Sequence, residues 1–338
     1  MRHKINFLVP RPEGVLADCR DNSPDVLVRA GGDLERLISG TGLCWLIVTH
    51  ARLRERGETN IALTNTVDPH AINVAHADTI VPGHSPFPDI GSAFVVSVRG
   101  EFGQRFFAQY EIVQNCRQEG RRAAYLTHWP QPGLIGRRGP PTAVRRVAFV
   151  GQVRPNLVAD PAKWARALAA RGYEFVAPDR DWHDLSSYDV IVGLRSFDRG
   201  GHDRKPPSKL INAWHAGIPF IGGHDSAFSQ VGIPEEDYLL AASFEEVLSQ
   251  LDRLATDSQL RERIVSNGRH KSLQYGNEAI AGQWRDLLDG PIAERFEAWR
   301  RRPAVERARS ALLYRLDDAH MRLRRNVKAL LGAGKAPR

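Results

Sequence analysis

Hydrophobic residues in the first third of the chain come in short bursts closed by turn residues. Ile5–Val9 is apolar and stops at Pro10, the pattern of a strand buried on both faces. Runs at Ile61–Leu63, Thr79–Val81, Phe94–Val98, Glu111–Val113 and Ala123–Leu126 predict further strands, whereas residues 11–24 predict a loop. Between Asp33 and Arg56 the spacing changes. Leu34, Leu37, Ile38, Leu43, Leu46, Ile47 and Leu53 recur at helical intervals, predicting two helices broken at Gly40-Thr41-Gly42.

A stretch dense in Pro, Gly and Arg then interrupts the pattern, and the linker is placed at 131–142, after a first lobe of residues 1–130. The rhythm restarts with a strand at Val147–Gly151, a helix at Pro161–Arg171, strands at Tyr173–Val176 and Asp189–Val192, and a helix at Ser208–Ala216. Pro219–Ile221 and Tyr238–Leu240 predict strands on either side of a short helix near Ala227. Strands alternating with helices predict a parallel, helix-covered sheet, so the expected fold is α/β, with two Rossmann-like lobes facing a central cleft. The second lobe is drawn over residues 143–290. Ser243-Phe244-Glu245-Glu246 has the form of a capping box, and the chain beyond it reads as helical. In the tail, 291–338, Val305, Ala308, Leu312, Leu316, Ala319, Leu323, Val327 and Leu330 predict the apolar face of a long basic helix.

A length of 338 residues suits two domains of about 150 residues, and 42% hydrophobic with 25% charged residues is a globular composition that excludes bulk disorder. No run reaches the ~18 apolar residues of a membrane span, and the N-terminal run is shorter than the ~7–15 residues of a signal-peptide core. Cys19, Cys44 and Cys116 are scattered, which predicts neither a disulfide framework nor a zinc site and suits a reduced, cytoplasmic protein. The net charge of +8 is unevenly spread. Residues 291–338 hold 13 of the 47 basic and 5 of the 39 acidic residues, leaving 34 of each before them. That excess reads either as a contact for an anionic membrane surface, placing the protein peripherally at the inner face, or as a solvated helix face. A charge-neutral globular part without a nucleic-acid module argues against nucleic acid as a partner.

The segment richest in chemistry is Lys205-Pro206-Pro207-Ser208-Lys209, running through Asn212 to Gly217. The prolines hold the entry extended, Ser208 is expected to be the N-cap, and free N–H groups at a helix start attract an anion. Lys205 and Lys209 add two ammonium groups there, a set suited to a diphosphate. Lysines at a solvated helix start are the bland alternative.

The string Pro207-Ser208-Lys209-Leu210-Ile211-Asn212-Ala213-Trp214-His215-Ala216-Gly217-Ile218-Pro219 resembles the donor-site helix of GT-B-fold glycosyltransferases, the glycogen-synthase-like superfamily. The similarity extends more weakly over Val147–Leu288, including Asp225-Ser226-Ala227-Phe228. What the resemblance implies is a GT-B architecture and transfer of a sugar from a nucleoside-diphosphate sugar to a glycan or lipid-linked acceptor, as in polysaccharide biosynthesis. Lys205 and Lys209 would then be catalytic, stabilising the departing diphosphate with no metal or cofactor required. Donor contacts would come from Gly151, Arg154, Arg195, Ser208, Asn212, Asp225 and Ser226. Many retaining members carry a pair of glutamates where this chain has Arg204 and Asn212, so Asn212 would reach a ribose hydroxyl without charge.

On the acceptor side His50, His84 and Arg99 are candidates near the ends of first-lobe segments, and His128, beside Trp129 at the hinge, is the candidate general base. Two alternatives stay open: a nucleotide- or nucleic-acid-binding protein gripping phosphate with its tail, and a GT-B-like sugar-nucleotide epimerase or inactive scaffold.

Overall fold

The computed structural model describes residues 1–40, 42–139 and 143–333. Thr41 in the helix break and residues 140–142 of the expected linker lie outside the described residues, as do the side chains of Arg324, Arg325, Val327 and Leu330 in the tail.

The first lobe is built on β1 (Ile5–Leu8), β2 (Ile61–Thr64), β3 (Ile72–His76), β4 (Val95–Val98), β5 (Tyr110–Val113) and β6 (Ala123–Tyr125), all parallel in the order β2-β1-β3-β4-β5-β6. Helices α1 (Glu13–Asp21), α2 (Pro24–Ala30), α3 (Gly32–Gly40) and α4 (Cys44–Arg54) intervene between β1 and β2. The expected loop over 11–24 is therefore largely helix. Leu16 and Cys19, one turn apart, are fully buried and anchor α1, while Pro24 occupies the first turn of α2, where its missing N–H costs nothing. The expected strand at Thr79–Val81 is a turn, closed by the Thr79 N–H on the His76 carbonyl, and the buried strand is the preceding Ile72–His76. Its polar Asn73 and His76 disguise it in sequence. Inside the sheet the Asn73 amide donates to the carbonyls of Asp68, Ala71 and Phe94, which is how a buried amide avoids a desolvation cost.

The second lobe carries β7 (Arg146–Ala148), β8 (Glu174–Val176), β9 (Val190–Gly193), β10 (Phe220–Gly222) and β11 (Leu239–Leu240), parallel in the order β11-β10-β9-β7-β8. Between them lie the single turn α5 (Val153–Asn156), α6 (Pro161–Ala169), α7 (Ser208–Ala216) and the single turn α8 (Ser226–Ser229), followed by α9 (Phe244–Thr256) and α10 (Ser258–Ser272). The capping box at α9 forms with a shift. The Ser243 hydroxyl accepts from the Glu246 N–H, but the Glu246 carboxylate reaches the Ala242 N–H instead of that of Ser243. Within the linker, Ile135 pairs with the backbone of His183 and Leu185, and the Arg137 N–H with the Ala216 carbonyl, so this strip is sewn to the second lobe.

The division drawn at residue 290 does not follow the packing. Helices α11 (Asn277–Asp289) and α12 (Pro291–Arg301) return to the first lobe, where Ile280, Trp284, Phe296 and Trp299 join the core formed by Phe7, Trp45 and Phe94. Truncating a buried aromatic of this kind costs about 3–5 kcal/mol, so the return helices are integral to that lobe. The tail helix α13 (Pro303–Ala333) also lies on the first lobe, but with a different face from the one its leucines suggest. Ser310 and Asp317 are buried, Tyr314 meets Phe107 edge to face at 5.0 Å, and the Ser310 hydroxyl accepts from Gln109 at 2.7 Å. Val305, Leu312, Leu316 and Leu323 are left exposed instead. Glycine at position 91 is what admits the helix, because a Cβ there would lie 2.8 Å from the Tyr314 ring.

Candidate functional site

In both sheets the strand order reverses beside the first strand, between β1 and β3 and between β7 and β9. Sheets of this kind bind ligands outside their carboxyl strand ends at that reversal. A cleft of about 600 Å³ lies there between the lobes. The first lobe lines it with His76 at the end of β3, Glu101 and Phe102 after β4, Gln114 after β5, and His128 after β6; the second lobe contributes Gly151, Asn156, Trp182, Ser208, Lys209 and Asn212.

Helix α7 begins as the prolines demand and ends at Gly217, whose left-handed φ of 67° closes the last turn. Ser208 is its first helical residue and not its N-cap; that position falls to Pro207, and no side chain caps the helix. The open end of the dipole is thus presented at the cleft wall beside Ser208 and Lys209. Lys209 has no acidic partner among the described residues, and its ammonium lies over the Phe149 ring at 4.8 Å from the centroid. Burial, reinforced by the charges of Arg195 and Lys205, pushes its pKa down to about 7. Glycine is required opposite: a Cβ on Gly151, whose φ is +121°, would come within 2.6 Å of the Lys209 Nζ.

Lys205 is engaged differently. Its Nζ pairs with Glu101 of the first lobe and donates to Asn156 Oδ1 at 2.7 Å, making an ionic bridge across the cleft. The loop that carries it is held by the first lobe as well. Gln114 donates to the Arg204 carbonyl at 2.9 Å, and the fully buried Asn115 donates to the Lys205 carbonyl and to the Ser226 hydroxyl. Arg195 is buried and ion-paired with Asp225, with its guanidinium over Phe228; burial lowers its pKa to about 10. Asp225 also caps α8 through the Ala227 N–H. Arg195, Asp225 and Ser226 thus form the frame behind the site, and Arg154 is exposed on the turn leading to Asn156. Asn212 Oδ1 accepts from the Gln131 N–H at 3.0 Å, tying α7 to the hinge.

Of the acceptor-side candidates only His128 reaches the cleft. Its Nδ1 lies 2.9 Å from the Trp129 carbonyl and its Nε2 3.1 Å from the Cys44 sulfur. The carbonyl can only accept, so Nδ1 carries the proton and Nε2 keeps the lone pair. Burial pushes the Cys44 thiol up to about 12, so that thiol is the donor to Nε2, and burial lowers the His128 pKa. His50 is buried within α4 against Phe7, with its pKa pushed down to about 4 by burial, away from the cleft. His84 sits on an exposed turn, and Arg99, 3.7 Å from Glu111, lines a neighbouring cavity of about 690 Å³. That cavity shares Glu101 and Phe102 with the cleft and is closed on one side by His320 and Met321 of α13.

His76, Glu101, Gln114, Asn115 and Trp182 are absent from the sequence-based set. His76 is held between two glycines. A Cβ on Gly42 would fall 2.2 Å from its ring and one on Gly100 2.8 Å from Nε2. Burial brings its pKa down to about 4, and its Nδ1 faces the Asp78 N–H at 3.4 Å. Glycines at 42 and 100 were the signal that something bulky fills the space beside them.

Residues 141–286 match a family model described as glycosyl transferase-like. No curated protein is significantly similar to the chain in sequence. Among solved structures, Anabaena HepE in complex with UDP and glucose is similar at a TM-score of 0.53 and 11% identity, over 86% of this chain and 100% of that one. AviGT4, a glycosyltransferase involved in avilamycin A biosynthesis, is similar at a TM-score of 0.51 and 12% identity, over 76% of this chain and 91% of that one. At such identities the likeness establishes the shared two-lobed fold, and the family match covers the lobe that carries α7. Residues 141–286 of the second lobe are similar to glycosyl transferase-like domains, and the chain as a whole has the two-lobed GT-B fold.

Proposed function

We propose that the chain moves a sugar from a nucleoside-diphosphate sugar, bound across the start of α7, to an acceptor presented by the first lobe. The observation that carries this reading is Lys209: a cleft-lining ammonium at an uncapped helix start, without a carboxylate partner among the described residues and faced by a glycine. Breaking the sugar–phosphate bond leaves negative charge on the diphosphate, and fixed positive groups aimed there lower the barrier. Lys209 and the α7 dipole supply such groups, and Lys205 joins them when the diphosphate exchanges with Glu101. Their positive charge is sufficient for the leaving group without a metal in this role. Asn212 takes the ribose position without charge, and Trp182 offers an aromatic face on the same wall. Once the Cys44 S–H turns away from it, the neutral Nε2 of His128 takes the acceptor hydroxyl's proton. Calorimetric titration with UDP, GDP and dTDP tests the donor assignment. Saturable heat with one of them is expected, and absence of heat with all three would overturn it.

The acceptor fits the lipid-linked class best. The leucine row of α13 faces outward among Arg309, Arg315 and Arg322, the arrangement of a helix lying in an anionic interface. The same helix closes the cavity that opens beside the cleft. Flotation with vesicles containing anionic phospholipid is expected to carry the protein, and L312D/L316D is expected to leave it behind. Equal flotation of the two proteins would remove the membrane reading.

A further inference from the structure

Away from the phosphate site, three potential metal ligands meet where the lobes touch. Glu35 projects from the first turn of α3 in the first lobe, and Asp181 and His183 from the loop between β8 and β9 in the second. One ligand atom of each lies within 4.8 Å of the others. His183 is only 8% exposed, and its Nδ1 is buried with no hydrogen-bond partner. Glu35 Oε1 lies 3.7 Å from it, beyond hydrogen-bond length. Neither carboxylate has a Lys or Arg partner among the described residues. Two carboxylates, Asp181 exposed and Glu35 partly buried, face a buried imidazole nitrogen that has no hydrogen bond, an arrangement a bound cation would complete, because a buried polar atom is costly to leave unpaired. The imidazole is also held in place from behind. The His183 carbonyl accepts from the Ile135 N–H at 2.8 Å, and the Leu185 N–H donates to the Ile135 carbonyl at 2.9 Å.

We propose that Glu35, Asp181 and His183 bind one divalent cation of the Zn²⁺ class, which clamps the two lobes together at the rim of the cleft. The donor set decides the class. An imidazole nitrogen with two carboxylates suits Zn²⁺ and its borderline neighbours better than Mg²⁺ or Ca²⁺, which favour oxygen alone. Tetrahedral Zn²⁺ takes nitrogen at about 2.0–2.1 Å and carboxylate oxygen at about 2.0–2.2 Å, which small side-chain rotations reach from the present positions. Three protein ligands leave one coordination position for water. The cation stands outside the sugar-transfer chemistry: none of the three ligands lines the cleft, while Trp182, between two of them, and Ser39, one turn along α3 from Glu35, both do. Binding there therefore fixes one wall of the cleft against the other. Sequence spacing hides the site because its ligands come from different lobes.

The test is titration of the metal-stripped full-length protein with Zn²⁺, followed by calorimetry, together with Co²⁺ absorption and thermal melting. One equivalent is expected to bind and raise the melting temperature, with Co²⁺ giving visible d–d bands. Removing even an outer-shell partner commonly costs about 10–100-fold in metal affinity, so His183→Ala and Glu35→Gln should each weaken binding at least about tenfold and abolish the bands. His84→Ala, on an exposed turn, should change neither. Cooperative melting of the metal-free variants distinguishes loss of the site from loss of the fold, and Asp181→Asn replaces any variant that fails to fold. Undiminished binding in these variants, or no binding to the wild-type chain, would overturn the proposal.

Discussion

The second-lobe wall of the cleft presents an ammonium that pays for its position in desolvation, while the first-lobe wall presents two imidazoles, His76 and His128, that burial keeps neutral. The same physical effect, removal from water, has opposite uses on the two sides. For Lys209 it creates an unmet demand for an anion, because a diphosphate restores the stability of the charged form. For the imidazoles it preserves an uncharged ring near neutral pH, which a base must be before it can take a proton. Under the proposed function, leaving-group stabilisation belongs to one lobe and proton transfer to the other, a division that breaks most directly at Lys209.

Lys209→Ala carries the largest expected effect. Loss of one preorganised donor to a developing anion costs about 10²–10³-fold in rate, and a fall of that size in kcat/KM is expected here. The pH profile gives a second signature. In the free enzyme Lys209 loses its proton at about 7, so kcat/KM should decline above neutrality, and the variant should lack that basic limb. Donor binding favours the ammonium form, so the corresponding limb in kcat should lie at higher pH. Stability moves in the opposite sense. The unfolded lysine keeps its proton up to its ordinary value of 10.5 while the folded one releases it at about 7. Between these values the unfolded state binds more protons, and stability rises with pH. Thermal melts of Lys209→Ala across that window should lack this rise. An unchanged kcat/KM would move the diphosphate elsewhere.

The two imidazoles separate in the next experiment. His128 keeps a lone pair on Nε2, whereas contact of the Asp78 N–H with His76 Nδ1 leaves the His76 proton on Nε2. Once the Cys44 S–H releases it, His128 can therefore accept a proton from a substrate hydroxyl, and His76 can only donate a hydrogen bond. General-base catalysis contributes about 10²–10⁴-fold, so His128→Gln is expected to lower kcat by about a hundredfold and remove the acidic limb of the pH profile. His76→Gln retains a donor and should cost less than about tenfold, the range of a single net hydrogen bond. A reversed order of the two effects would exchange their roles.

How much of this was legible in the sequence differed between the walls for a physical reason. The second-lobe wall is local: two prolines, a helix start and Lys209 lie within a few residues, and Gly151 ends a strand run. Strand rhythm likewise located most of both sheets. The first-lobe wall is assembled from the ends of β3, β4, β5 and β6, so His76, Glu101, Gln114 and His128 meet only after folding. His76 was hidden further by lying in a buried strand whose polar residues mimic a loop. His50 failed as a candidate because α4 is buried along nearly its whole length, and helical spacing alone cannot tell a cleft-facing position from a core one. The tail misled for a related reason. Its leucines mark an apolar face, but packing uses Ser310, Tyr314 and Asp317, and only the lobe's own surface decides between the two.

The smallest expected effect concerns the bridge joining the two walls. Glu101 already pairs with Lys205, so an incoming diphosphate must displace a carboxylate to recruit that lysine. Glu101 is about half exposed, and an exposed ion pair of this kind is worth roughly 0–1 kcal/mol. Glu101→Gln removes the competitor while leaving an amide that can still contact the lysine, so donor affinity should rise by no more than about fivefold, the equivalent of that energy. The gain should shrink as salt is added, because screening weakens the exposed pair in the wild type as the substitution does. Nucleotide titrations at low and high ionic strength measure both quantities. If Glu101→Gln instead weakens binding, Glu101 is a donor ligand, and the first-lobe wall contributes to nucleotide recognition as well as to proton transfer.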